Sequence, residues 1–244
     1  MPVAQKGHVY LVGAGPGSVD LITLRGWSLL QTADVAVVDA LADPALFQHL
    51  PLHIIDAGKR AGNHGLQQAQ IHEKLIELAH QGLAVVRLKG GDPFVLGRGS
   101  EEALALAQAG VPCEVVPGVS SALAAPTLAG IALTHRGVAE GFSVVSAHVG
   151  DGRPPFGPYH ERLTLVVVMG VANREQWLPQ LLALGYPPQL PMAWITWAAR
   201  AEQTVLRTTL GACLSDARSA GLRSPSIAVI GPVAAMGQPA IGQL

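Results

Sequence analysis

Two short Gly-rich segments hold the residues best suited to chemistry: Gly13-Ala14-Gly15-Pro16-Gly17 and Lys89-Gly90-Gly91-Asp92-Pro93. The first, with Asp39 about 20 residues further on, partly matches a dinucleotide fingerprint, in which glycines let the backbone approach a pyrophosphate and an acid binds the ribose. Two features count against that match. Ser18 stands where a third small residue is expected, and Pro16 removes an N–H from the turn that would face the pyrophosphate. A plain tight connection is a third option, since glycine serves any positive-φ position. In the second segment, paired glycines at a strand end let a ligand approach the backbone, and Asp92 offers a carboxylate to hydroxyls or an ammonium group. The plainer alternative there is a turn capped by an aspartate. Lys59, Arg60, His64, Arg98, His135 and Arg136 lie in or near the same loops. Jointly they suit a ligand with several carboxylates, although each alone also reads as a solvated surface charge.

The elements that must position these residues follow from apolar runs. Residues 9–12 predict a strand running into Gly13. A helix follows from about Thr23, a plausible N-cap, with Leu24, Trp27 and Leu30 toward one face. Residues 35–38 predict a second strand ending at Asp39, and Ile54 and Ile55 belong to a third ending at Gly58-Lys59-Arg60. Ile71, Leu75 and Leu78 mark a helix stopped by Gly82. Residues 84–88 predict a fourth strand. Ser100, Glu101 and Glu102 open another helix, with acids where the dipole favours them, and Gly110 ends it. Residues 114–116 predict a fifth strand, closed by Pro117-Gly118. Strands alternating with helices imply βαβ units and a parallel sheet. GAGPG, Asp39, GKR, KGGD and PGVSS all fall just past strand ends, the edge at which open α/β sheets bind ligands.

The second half is patterned differently, with strands expected at residues 142–146, 163–169, 191–196, 204–208 and 227–230. A helix opens at Asn173, where Gln176 completes a possible capping box, and another covers about 212–220. Two consecutive strands near 191–208 imply a mixed sheet. A boundary is expected within 118–134, giving domains 1–118 and 119–244, with the Gly- and Pro-rich stretch 150–158 as an excursion inside the second. Met169, Trp194 and Trp197 read as core residues.

Composition narrows the classes. The chain has 244 residues, a net charge of −1, and nearly half its residues apolar, so disorder and a global electrostatic pull toward nucleic acid or an anionic membrane are not expected. Cys113 and Cys213 form neither a disulfide framework nor a zinc pair. The six histidines before residue 81 show no metal-ligand spacing. No apolar run reaches the roughly 18 residues of a membrane span, and the N-terminal apolar stretch is too short and Gly-rich for a signal sequence. A soluble, cytoplasmic protein without a metal is the expectation.

The segments VYLVGAGPG, ADVAVVD, GKRAG, VVRLKGGDPFVLGRGSEE and EVVPGVSSALAAPTLAGIALTHR closely resemble uroporphyrinogen-III C-methyltransferases, within the tetrapyrrole methylases. The similarity runs over nearly the full chain and is strongest from 9 to 136. The resemblance implies a two-domain class III methyltransferase, a homodimer, with S-adenosyl-L-methionine (SAM) in the cleft between domains and S-adenosyl-L-homocysteine as product. Its usual reaction methylates C2 and C7 of uroporphyrinogen III, giving precorrin-2 via precorrin-1 on the way to siroheme or cobalamin. By the same resemblance, Pro16 lines the SAM pocket, and Gly90, Gly91, Asp92, Val95, Ser120, Ser121, Met169 and Ala198 contact the cofactor. Asp39 matches the proton acceptor and Lys59 the proton donor, while Arg98 and Arg136 are candidates for the substrate carboxylates. The chain departs from the family at Ser120-Ser121, where Thr-Ala is usual, at Ser146-Ala147-His148, where Thr-Gly-His is usual, and at Ala198, where glycine is common. Three alternatives stay open: a sibling methylase for another corrin-ring intermediate, a nucleotide-binding oxidoreductase using residues 13–17, and a module that holds SAM without turning it over.

Overall fold

The structure, a computed structural model, describes residues 1–39, 42, 47–58, 66–148 and 155–236. The chain divides into two units, Met1–Ser121 and Ala122–Leu244. In the first, short apolar runs form β1 (Val9–Gly13), β2 (Val35–Val38), β3 (His53–Asp56), β4 (Val85–Lys89) and β5 (Cys113–Val116). They make an all-parallel sheet in the order β3-β2-β4-β1-β5. Parallel strands are normally covered on both faces, and here β1, β2 and β4 are buried at every residue.

The side-chain period of two sorts each strand between two cores. Tyr10, Val12, Ala36, Val38, Val86 and Leu88 pack with Leu29 and Leu30 of α1 (Leu24–Thr32). Val9, Leu11, Val35, Val37 and Val85 pack with Ile71, Leu75 and Leu78 of α2 (Gln68–His80) and Leu106 of α3 (Gly99–Gln108). Thr23 caps α1 as expected, its Oγ1 accepting the Gly26 N–H at 3.2 Å. The start of α2 carries a capping box that the sequence reading missed, between Gln67 and Gln70.

The second unit holds β6 (Gly141–Ser146), β7 (Leu163–Val168), β8 (Pro191–Thr196), β9 (Thr204–Thr209) and β10 (Ser226–Ile230) in the order β6-β7-β10-β8-β9. Only β6 and β7 pair in parallel, so the sheet is mixed. One core gathers Trp177, Leu178 and Leu181 of α5 (Arg174–Ala183), Cys213 of α6 (Cys213–Ser219) and Trp194. A second joins Ala193, Ile195 and Val229 to Ala125 of α4 (Ser121–Leu128) and to Val233 and Ala234 of a 3-10 turn, Pro232–Ala235.

Three sequence expectations change. α4 was not foreseen, because Pro126 stands inside it and its small apolar residues carry no amphipathic period. Asn173 precedes α5 without capping it through its side chain; its Nδ2 donates instead to the Ala147 carbonyl. Glu102, expected only as a dipole-favoured acid of a first helical turn, is wholly buried and bonded to Arg87 and Lys89. Part of the stretch 150–158, together with Lys59, Arg60 and His64, lies outside the described residues. Among the described residues, no helix is long and apolar enough to cross a membrane.

Candidate active site

The first unit brings its two Gly-rich loops together. β1 and β4 are neighbours, so their C-terminal ends deliver residues 13–17 and 89–92 side by side. The Ala14 N–H donates to the Lys89 carbonyl at 2.7 Å, and Gly15 and Gly91 exchange both backbone bonds, at 3.2 and 2.8 Å. The strands are parallel, yet this bridge is antiparallel, so within two residues of the strand ends one loop has reversed its direction relative to the other. Gly15 and Gly91 achieve this at φ +74° and +67°, in the left-handed region open to glycine.

Gly118, after β5, completes the cluster. A Cβ on Gly118 would stand 2.2 Å from the Gly91 carbonyl oxygen, and one on Gly13 would stand 2.5 Å from the Gly118 Cα. Gly13 and Gly118 therefore serve backbone-to-backbone packing of three loops. Asp92 ties the same loops: Oδ1 accepts the Phe94 N–H at 2.8 Å and Oδ2 the Gly118 N–H at 3.0 Å. This is the capped turn held open above as the plainer option, and it leaves carboxylate lone pairs for a second partner. Ser120 and Ser121 adjoin Gly91, whose Cβ position is 3.8 Å from the Ser121 Oγ. Pro16 and Gly90 are partly exposed at the same edge.

Beyond Asp92 the chain carries Phe94, Val95 and Leu96, all exposed. Leu96 and Arg98 adopt φ +54° and +59°, uncommon for residues with a Cβ. Arg98 directs its fork to Glu101, with Nε to Oε1 at 2.9 Å and Nη2 to Oε2 at 2.7 Å. That pairing raises the Arg98 pKa and holds the Glu101 carboxyl below its ordinary value.

Asp39 follows β2, and its N–H continues the ladder to the Leu88 carbonyl at 3.1 Å. Its carboxylate ends a charge network that sequence reasoning missed. Arg87 and Lys89 are both buried, on the α2/α3 side of β4. Glu102 Oε1 accepts from Arg87 Nε at 3.2 Å, Lys89 Nζ at 2.9 Å and Gln68 Nε2 at 3.1 Å. Arg87 Nη1 donates to the Val37 carbonyl at 3.2 Å, and Nη2 donates to Asp39 Oδ1. Lys89 Nζ lies 3.9 Å from Asp39 Oδ2. Two cations thus face two carboxylates. A signal was present in the sequence: Arg87 and Lys89 alternate with Val86 and Leu88 in a central strand, where charges must be buried and paired.

In the second unit, β6, β7 and β8 end at one edge, since β7 and β8 are both antiparallel to β10 and β6 is parallel to β7. Met169 there is half exposed with φ +55°, and Trp197 and Ala199 have φ +52° and +64°. Positive φ at non-glycine residues clusters at functional loops. The expectation of core positions therefore holds for Trp194, which is fully buried, and fails for Met169 and Trp197. Ala198 lies between the two strained residues. Arg136 is exposed in a turn closed by the His135–Ala139 bridge. Among the described residues, no group of three His, Cys, Asp or Glu is placed to hold a metal.

A parallel sheet with interlocked Gly-rich loops, followed by a mixed-sheet unit, places the chain in a defined class. Residues 8–213 match the Tetrapyrrole (Corrin/Porphyrin) Methylases, and the chain belongs to that family. It is 43% identical over 231 residues to a uroporphyrinogen-III C-methyltransferase of Pseudomonas aeruginosa, covering 93% of this chain and 94% of that one. The crystal structure of uroporphyrin-III C-methyl transferase from Thermus thermophilus complexed with S-adenyl homocysteine superposes with a TM-score of 0.82 at 40% identity, covering 94% of this chain and 99% of that one. Siroheme synthase 1 of Halorhodospira halophila is 42% identical over 234 residues, 94% of this chain. The chain spans about half the length of that synthase, 48%.

Proposed function

We propose that this chain is a SAM-dependent methyltransferase that methylates uroporphyrinogen III at C2 and C7, giving precorrin-2 through precorrin-1 for siroheme or cobalamin synthesis. The observation that carries the reading is the interlock of residues 13–17 with residues 89–92 at one sheet edge, beside the network that ends in Asp39. The similarity to uroporphyrinogen-III C-methyltransferases favours a tetrapyrrole over a dinucleotide. The donor set also suits the cofactor. Asp92, Ser120 and Ser121 supply oxygens, and no cation stands among Pro16, Gly90, Gly91, Asp92, Val95, Ser120 and Ser121, as a bound sulfonium requires.

SAM, when bound, supplies an electrophilic methyl group. Pro16 and the residues from Gly90 to Asp92 are assigned to hold it, with Val95, Ser120, Ser121, Met169 and Ala198 as further contacts. Asp39 takes the proton lost from the ring carbon after methylation, and Lys59 donates one. Arg98 and Arg136 bind substrate carboxylates, for which Arg98 must exchange its Glu101 partner. Domains 1–118 and 119–244, a homodimer and a cytoplasmic location complete the proposal. The test is anaerobic incubation with SAM and uroporphyrinogen III, followed by mass measurement. A gain of two methyl groups is expected. Tight NAD(P) binding without SAM binding, or no methyl gain, overturns the reading.

A further inference from the structure

The charge network beneath Asp39 is more elaborate than a sheet edge requires. Glu102 is wholly buried, as are Arg87 and Lys89, and one carboxylate does not neutralise two buried cations. The balancing charge is Asp39, whose side chain is 32% exposed. The quartet is therefore closed on the inner side and open at one carboxylate only. Arg87 spans it. Its Nε bonds Glu102, Nη1 bonds the Val37 carbonyl and Nη2 bonds Asp39 Oδ1, so the planar fork is fixed at two points besides Asp39. Glu102 is in turn tied to α2 through Gln68. The Asp39 backbone is held as well, its N–H on Leu88 and its carbonyl accepting the Ala42 N–H at 3.1 Å.

We infer that Arg87, anchored by Glu102, is the positioning residue that aims the Asp39 carboxylate, with Lys89 as the second cation that balances the set. This rests on the assignment of Asp39 as the proton acceptor. Arg87 touches neither substrate nor cofactor in this scheme. It fixes one carboxylate oxygen from behind and leaves the exposed side of the group to meet the reacting ring, and proton transfer depends on that geometry.

The test is a double-mutant cycle in the intact protein with Asp39→Asn, Arg87→Lys and the pair, measuring kcat and KM for uroporphyrinogen III and the affinity for S-adenosyl-L-homocysteine. Arg87→Lys keeps the charge but cannot reach Glu102, Val37 and Asp39 together. Its kcat is expected to fall about 100-fold, the scale of a 1 Å misplacement, with KM and homocysteine-adduct affinity near wild type. The double variant is expected to be no slower than Asp39→Asn alone, since an aim without a carboxylate has no effect. A slow Asp39→Asn beside a normal Arg87→Lys, or penalties that multiply in the double variant, overturns the positioning role alone. A wild-type rate in Asp39→Asn overturns the assignment of Asp39, and the positioning role with it. Should Arg87→Lys fail to fold, the paired change Arg87→Gln with Glu102→Gln leaves Lys89 opposite Asp39 with no unbalanced buried charge, and the same outcomes apply.

Discussion

Substituting alanine for Gly118 tests the interlocked loops directly. The added methyl would stand 2.2 Å from the Gly91 oxygen, 2.6 Å from the Gly13 Cα and 2.9 Å from the Gly13 carbonyl carbon. All three obstacles are backbone atoms, so no rotamer change relieves them, and the loops after β1, β4 and β5 must part by roughly 1 Å, an overpacking that costs about 1–3 kcal/mol. Because the backbone must yield, the upper half of that range applies, and a chain of this size loses about 2–4 °C of Tm per kcal/mol, or about 4–12 °C in total. The displacement falls within the proposed cofactor loops, so S-adenosyl-L-homocysteine affinity is expected to drop with stability. Thermal unfolding with and without that ligand reads both effects, with Gly157→Ala as the control, because nothing lies within 4 Å of a Cβ there. An unchanged melting temperature together with unchanged ligand affinity in Gly118→Ala would refute the close-packing argument.

Two further predictions concern buried groups. Trp177 is almost fully buried and donates its Nε1 to the Gly170 carbonyl at 2.8 Å, so Trp177→Ala is expected to cost about 3–5 kcal/mol; urea unfolding showing a loss below about 1 kcal/mol contradicts the core assignment. Burial, aided by the Glu102 and Glu114 charges, pushes the Cys113 thiol up to about 11. The folded state then holds the thiol's proton above the pH at which the unfolded chain releases it. The stabilising contribution is full below the ordinary thiol pKa and is lost as pH rises toward 11. Alkylation of Cys113 at pH 8–9, within about half a unit of the unperturbed thiol value, is expected to be much slower in native than in urea-denatured protein, and equal rates would contradict it.

Strand positions in the first unit were legible because each apolar run there ends at a glycine, proline or charged residue, and those of the second unit followed from the apolar runs themselves. The run 191–196 matches β8 at both ends, and 163–169 overshoots β7 by Met169, whose positive φ ends the strand. Helices were legible where periodicity and caps agreed, as at Thr23, and hidden where both were lacking, as in α4 with Pro126 inside it; at Asn173 the helix was legible, but its cap was lost to a tertiary contact with the Ala147 carbonyl. The Gly-rich loops could be placed at one edge because each follows a strand end of a parallel sheet, but their mutual bridge depends on a chain reversal that spacing does not reveal. The Arg87–Glu102–Lys89 set was hidden for another reason. Lys89 was read only as the start of a Gly-rich segment and Glu102 only as a dipole-favoured acid, whereas the period of two puts Arg87 and Lys89 on the face shared with Val37 and turned toward α2 and α3.

The place of β10 bears on how the second unit is made. The five strands of the first sheet are complete by Val116, whereas β10, which ends at Ile230, separates β7 from β8. Until that last strand emerges from the ribosome, β7 and β8 each present an unpaired edge, and at 5–20 residues per second the span from Thr196 to Ile230 takes roughly 2–7 s. Nascent chains of this protein therefore carry two open sheet edges for that interval, the period in which a chaperone or an aggregate competes for them.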